Sequence, residues 1–241
     1  MRIGSLLRKA FGWLDRCVAP PLCPRCQERL AAAGGLCPVC RREVARLPET
    51  ARCRACGGAL GPVASGVCRR CAEEPPPWFR GVSALDYHGE AGDLVRAYKY
   101  GRQTALAAYF AEEMAAAWRS YGAPAKPQAL VPVPLHPRRQ MERGFNQAAL
   151  LCRLLSPRLG LPVVEVLRRK RPTRHQARLD AHARRRNMRR AISVTGMDRL
   201  RGKSILLVDD VMTTGATLAA CTEALVAAGA AEVSVLTAAR A

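Results

Sequence analysis

At 241 residues the chain is long enough for one full domain and a small appendage. With 39 Lys and Arg against 19 Asp and Glu, its formal charge of +20 points to a polyanionic partner. No stretch nears the roughly 20 apolar residues of a membrane-spanning helix, which excludes a helical integral membrane protein.

The first residues, MRIGSLLRKAFGWLDRC, lack the unbroken apolar core and cleavage site of a secretory signal, so a cytoplasmic protein is expected. Ile3, Leu6, Leu7, Phe11 and Leu14 recur at helical spacing among Arg2, Arg8 and Lys9. That helix either packs on the segment that follows or lies on a membrane surface.

Nine of the eleven cysteines lie between Cys17 and Cys71. Eight of them form an internal repeat: Cys23-x2-Cys26 and Cys37-x2-Cys40, then Cys53-x2-Cys56 and Cys68-x2-Cys71, offset by 30 to 31 residues. Paired Cys-x-x-Cys knuckles suit tetrahedral thiolate ligation of zinc. The simplest grouping is Cys23, Cys26, Cys37 and Cys40 for one ion and Cys53, Cys56, Cys68 and Cys71 for another. Interleaved pairing, a single occupied site and a disulfide framework remain the alternatives. So few apolar side chains surround the knuckles that metal would supply folding energy, and four thiolates leave no open ligand position, so its role is structural or partner-binding. Cys17 is a spare thiol, while Cys152 and Cys221 sit in apolar helical patterns as core residues. Pro75, Pro76 and Pro77 form a stiff linker, which places a boundary between a zinc-ribbon module (1–77) and a second domain (78–241).

Beyond the prolines, strand and helix patterns alternate. Strands are expected at 82–87, 130–133, 163–167, 192–194, 205–208 and 233–236, and helices at 92–100, 105–118, 147–155 and 216–228. Such alternation predicts an α/β fold with a mostly parallel sheet covered on both faces.

The most informative string runs Ile205-Leu206-Leu207-Val208-Asp209-Asp210-Val211-Met212-Thr213-Thr214-Gly215-Ala216-Thr217. A buried strand leads to two carboxylates, then to a hydroxyl- and glycine-containing turn that opens a helix. Amides at a helix start favour a phosphate, and Gly215 permits close approach. Paired carboxylates beside a phosphate make sense if they accept from sugar hydroxyls or help hold magnesium. A ribose 5-phosphate fits both halves.

This string closely resembles the phosphoribosyl pyrophosphate signature of type I phosphoribosyltransferases. The resemblance implies that Asp209 and Asp210 hold the ribose hydroxyls, and that Thr213, Thr214, Gly215, Ala216 and Thr217 hold the 5-phosphate. Two more segments narrow the family: Val131-Pro132-Val133-Pro134-Leu135-His136-Pro137-Arg138-Arg139 with Arg143-Gly144-Phe145-Asn146-Gln147, and Arg171-Pro172-Thr173-Arg174-His175-Gln176 with Leu179, Arg186 and Asn187. With the cysteine repeat in front, the chain looks like the ComF family of competence-associated phosphoribosyltransferase-like proteins. That resemblance makes the turn after Val133 a pyrophosphate loop, with Arg138, Arg139 and Arg143 as its charged members and Asn146 and Gln147 in support. His136 reads as a turn-shaping residue. Magnesium would accompany phosphoribosyl pyrophosphate.

Residues 168–190 hold eleven Lys and Arg against one acid, Asp180. The segment fits a lid that brings Arg174, His175 and Gln176 toward the site as catalytic candidates. It equally fits a strip for single-stranded DNA through Arg168, Arg169, Lys170, Arg171, Arg184, Arg185 and Arg186. The family resemblance implies a part in natural transformation, where a helicase and associated factors receive incoming single strands. The competing expectation is an active enzyme that transfers phosphoribosyl to a small base or amine with no DNA role. Tyr98-Lys99-Tyr100-Gly101 is the upstream candidate for an acceptor pocket, or else the exposed end of a helix.

Overall fold

A computed structural model describes residues 21–31, 34–44, 52–60, 66–169 and 191–241. Single-turn helices α1 (Pro38–Glu43) and α2 (Arg69–Glu73) lie inside the two cysteine repeats. After the prolines come β1 (Gly81–Asp86), α3 (Glu90–Tyr100), α4 (Leu106–Tyr121), β2 (Ala129–Pro132), α5 (Pro137–Arg143) and α6 (Gln147–Leu159). The chain continues with β3 (Leu167–Arg169), β4 (Ile192–Val194), β5 (Ser204–Met212), α7 (Ala216–Ala227) and β6 (Glu232–Arg240).

Four strands form an all-parallel sheet in the order β1-β6-β5-β2. The central strands are buried on both faces, which explains their near-continuous apolar sequences. Side chains alternate along a strand, so Leu206 and Val208 join the core beneath α4 and α6 while Ile205 and Leu207 join the core beneath α7. The result is the expected three-layered α/β architecture, with helices on both faces of a parallel sheet.

Several elements differ from expectation. The apolar run at 163–167 touches the sheet only at Val163, which bridges Leu130 in parallel. The chain then turns away and buries Val166 and Leu167 on the α7 side. There β3 pairs antiparallel with β4 in a hairpin outside the main sheet, with Arg169 opposite Ile192. Strand β5 continues past Val208 to Met212 because β6 runs beside it to Arg240 and satisfies its backbone. Helix α6 also extends beyond 155, through Pro157, until Gly160 in the left-handed conformation stops it.

The two cysteine repeats share one backbone design. Cys23 and Cys53 donate to the carbonyls of Glu28 (2.7 Å) and Gly58 (2.8 Å), and Gln27 and Gly57 both adopt positive φ, 62° and 70°. Their surroundings differ. Cys23, Leu36, Cys37 and Cys40 join the core containing Tyr109 and Phe110 of α4, while Cys53, Cys56 and Trp78 join the core on the α7 side. A Cβ on Gly57 would fall 2.4 Å from the Ser83 nitrogen of β1, so the second knuckle approaches the sheet closer than any side chain allows. Among the described residues, no helix is long and apolar enough to cross a membrane.

Candidate functional site

Because β5 runs on to Met212, Asp209 and Asp210 lie within the strand, four and three residues before the turn at Thr213 and Thr214. Gly215 caps α7 at φ 76° and ψ 0°, a left-handed conformation that suits glycine. Ala216 donates to Thr214 Oγ1 at 3.3 Å, drawing the first turn of the helix onto the loop.

The acid pair is incompletely neutralised. Lys99 Nζ lies 2.9 Å from Asp210 Oδ1, and Asp210 donates its amide to Asp209 Oδ1 at 2.8 Å. Burial first, and the Asp210 charge second, push the Asp209 carboxyl up to about 7, against the opposing charges of Lys99 and Arg169. A carboxylate left in this state favours a cation or a set of hydroxyl donors. The site therefore fits a sugar diol with magnesium, which supplies charge neutralisation when bound. Cys152 and Cys221 are fully buried, and burial raises both thiols, as expected of core residues.

The strand β2 leads into the second turn. His136 caps α5, its Nδ1 accepting from the Arg138 amide at 3.2 Å, with Pro137 at the first helical position. Arg138 points outward and pairs with Glu142 at 3.2 Å. Arg139 lies beside Arg169, whose pKa is lowered by burial first and by Arg139 next. The Arg143 guanidinium lies 4.9 Å from the centre of the Tyr100 ring and donates to Gln147 Oε1 at 3.3 Å. Asn146 accepts from the amides of Ala148 and Ala149 to cap α6 and donates to the Val133 carbonyl at 3.2 Å, which ties the turn to the helix.

Tyr98 donates from its buried hydroxyl to the Gln147 carbonyl at 2.9 Å, while Tyr100 is 70% exposed. The Tyr98–Gly101 segment thus divides its roles: Tyr98 locks α3 to α6, Lys99 reaches the acids, and Tyr100 faces solvent under Arg143. Arg168, Arg169, Pro134, Leu135 and Asn146 line a cleft of about 540 Å³ beside these elements. Arg168 is exposed, whereas Arg169 is half-buried within electrostatic reach of Asp209. Arg174, His175 and Gln176, with Lys170, Arg171, Arg184, Arg185 and Arg186, lie outside the described residues. The segment that carries them leaves from Arg169 and returns just before Ile192, and those two residues are register partners in the hairpin.

Two groups of four sulfurs lie within 4.8 Å of one another: Cys23, Cys26, Cys37 and Cys40, and Cys53, Cys56, Cys68 and Cys71. Tetrahedral zinc with bonds of about 2.3 Å separates its sulfurs by about 3.8 Å. Cys26 and Cys37 stand at 3.6 Å and Cys56 and Cys68 at 3.8 Å. Amides of Cys37 and Cys68 donate to Cys23 and Cys53 sulfur at 3.4 and 3.3 Å, as thiolates require. Both clusters could hold zinc. Cys17 lies outside the described residues.

Sequence reasoning missed two arginines that meet the turn after β5. Arg70 of α2 donates to the carbonyls of Thr213 (3.3 Å) and Thr214 (2.8 Å). Arg240, at the end of β6, donates to those of Met212 (3.1 Å) and Thr213 (2.9 Å).

Residues 144–241 match the family model of the phosphoribosyl transferase domain. The chain is 39% identical to DNA utilization protein YhgH of Salmonella typhi, across 90% of the chain and 95% of that protein. It is 32% identical to competence protein F of Haemophilus influenzae, across 91% and 96%. Identity to competence protein ComFC of Bacillus subtilis is 27%, across 82% and 74%.

Proposed function

The chain belongs to the ComF family of phosphoribosyltransferase-like proteins, and we propose that it binds phosphoribosyl pyrophosphate with magnesium while handling incoming single-stranded DNA in the cytoplasm. One observation carries the first half: an under-neutralised acid pair on a central parallel strand, directly followed by a hydroxyl-rich turn that opens a helix. Asp209 and Asp210 accept from the ribose hydroxyls. The amides and hydroxyls of residues 213–217 hold the 5-phosphate, with the dipole of the twelve-residue α7 behind them. Arg139 and Arg143, with Arg138 at the rim, supply charge for the pyrophosphate. On this reading both cysteine clusters carry structural zinc.

The DNA half rests on charge and on names. Residues 168–190 concentrate eleven basic side chains, and the similar proteins are named for DNA utilization and competence. On this proposal the segment acts beside the acid pair, through Arg174, His175 and Gln176 toward the pyrophosphate and through its flanking arginines toward a phosphate backbone; the pairing of Arg169 with Ile192, at its two ends, supports the reading.

Calorimetric titration of the zinc-loaded chain with magnesium and phosphoribosyl pyrophosphate, with and without a short single-stranded oligonucleotide, tests both halves. Asp209→Asn combined with Asp210→Asn is expected to weaken sugar-phosphate binding at least about a hundredfold, since charge-assisted hydrogen bonds to two hydroxyls are lost, while the fold is kept, as read by circular dichroism. Unchanged affinity would remove the ribose assignment. Phosphoribosyl pyrophosphate binding with no response to DNA would leave a small-molecule transferase as the better reading.

A further inference from the structure

The two cysteine clusters are built alike but touch different things. Arg41 follows the last cysteine of the first cluster and joins it to α4 through Glu112 at 2.8 Å and the Tyr109 ring at 5.4 Å. The second cluster faces the phosphate loop. Helix α2 is only five residues long, with Cys68 as its N-cap and Cys71 inside it, so the cluster's own ligands set its position. Arg70, lying between those two cysteines, extends to the carbonyls of Thr213 and Thr214. On the other side of the loop Arg240 lies against Cys56 sulfur and donates to the carbonyls of Met212 and Thr213. Trp78 completes the contact: its indole donates to the Ala55 carbonyl, between Cys53 and Cys56, and its ring edge stands 3.0 Å from where a Cβ on Gly215 would lie.

In a trans peptide the carbonyl of one residue and the amide of the next point in opposite directions. Holding the carbonyls of Met212, Thr213 and Thr214 toward the cluster therefore turns the amides of Thr213, Thr214 and Gly215 away from it. Those are the donors a phosphate needs. Without the two guanidinium groups the carbonyls of Thr213 and Thr214 would lose their charge-assisted partners, while that of Met212 would keep the Ala241 amide at 3.0 Å, so the turn would be held only at its strand end.

We propose that the second cysteine cluster positions the phosphate loop, acting through Arg70 and Arg240, so that its assembly sets the affinity of the site for a sugar phosphate. The first cluster has no such contact among the described residues and serves the α4 layer. The proposal deepens the phosphoribosyl pyrophosphate reading and rests on it for the ligand, although the ordering of the loop stands independently.

The test uses the full chain loaded with zinc, as wild type, Arg70→Ala and, for the first cluster, Arg41→Ala. Zinc per chain is measured by mass spectrometry, amide exchange at residues 213–217 by hydrogen–deuterium methods, and ribose 5-phosphate and phosphoribosyl pyrophosphate affinity by calorimetry. Arg70→Ala is expected to keep its zinc and melting temperature, to speed exchange of the loop amides about tenfold or more, and to weaken both ligands about tenfold, the scale of a lost hydrogen bond to a charged group. Arg41→Ala should leave loop exchange and affinity as in wild type. Wild-type exchange and affinity in Arg70→Ala would overturn the proposal, as would an equal effect from Arg41→Ala. Should the wild-type chain bind neither sugar phosphate, the functional reading fails, while the exchange data still decide whether the cluster orders the loop.

Discussion

Lys99 and Asp210, 111 residues apart in sequence, meet at 2.9 Å with only 20% and 10% of their side chains exposed. The contact fastens the end of α3 to the central strand and places a cation on the acid pair before any ligand arrives. A partly buried pair of this kind contributes little when intact but costs more when one partner is removed, because the other charge is left behind. Lys99→Met is expected to destabilise the chain by about 2 kcal/mol. The deficit should grow from pH 5 to pH 8, as Asp209 ionises beside an unneutralised Asp210. Denaturant unfolding at both values measures it, and equal deficits would assign the loss to packing of the lysine stem.

Asp209 gives stability its own pH dependence. Its carboxyl is raised from the ordinary 3.8 to about 7, by burial first and Asp210 second. Between pH 4 and pH 7 the folded chain therefore keeps a proton that the unfolded chain has lost. By linkage, this contribution is fully present below pH 4 and declines as pH rises to 7, with a slope near one proton per molecule around pH 5.5. Asp209→Asn should flatten that part of the profile, and a wild-type slope in the variant would contradict the assignment.

Gly57 tests the close approach of the second knuckle. Gln27 occupies the matching position of the first repeat at φ 62°, so positive φ alone does not demand glycine there. The Ser83 nitrogen does, standing 2.4 Å from where a Cβ would lie. Gly57→Ala is expected to cost about 3 kcal/mol or more, since backbone must shift. Gly35→Ala, whose Cβ would meet nothing within 4 Å, should cost about 1 kcal/mol from conformation alone. Thermal unfolding of the two variants side by side checks the ranking.

The proposed DNA strip is tested by the salt dependence of binding. Replacing Arg184, Arg185 and Arg186 with alanine should weaken single-stranded DNA binding and reduce the slope of log affinity against log salt by roughly 0.7 for each phosphate no longer neutralised. Fluorescence anisotropy from low to physiological salt reads this directly. A variant with the parent slope would exclude these three residues from the DNA interface.

What the sequence by itself determined is local. Strand and helix periods, the Cys-x-x-Cys spacing and the run from Ile205 to Thr217 are written in neighbouring residues, because each reflects a backbone conformation or a ligand geometry spanning a few positions. Only the tertiary structure decided how far β5 extends, since its last residues, Asp209 to Met212, depend on β6 lying alongside. It also separated β3 and β4 from the main sheet, a matter of which core Val166 and Leu167 can reach. Above all it decided which of the described basic side chains bond the acids and the turn: Lys99 on the acids, and Arg70 and Arg240 on the turn. An arginine that bonds carbonyls 143 residues away leaves no period or spacing in its own neighbourhood, because the partner is chosen by packing between elements that only the folded chain brings together.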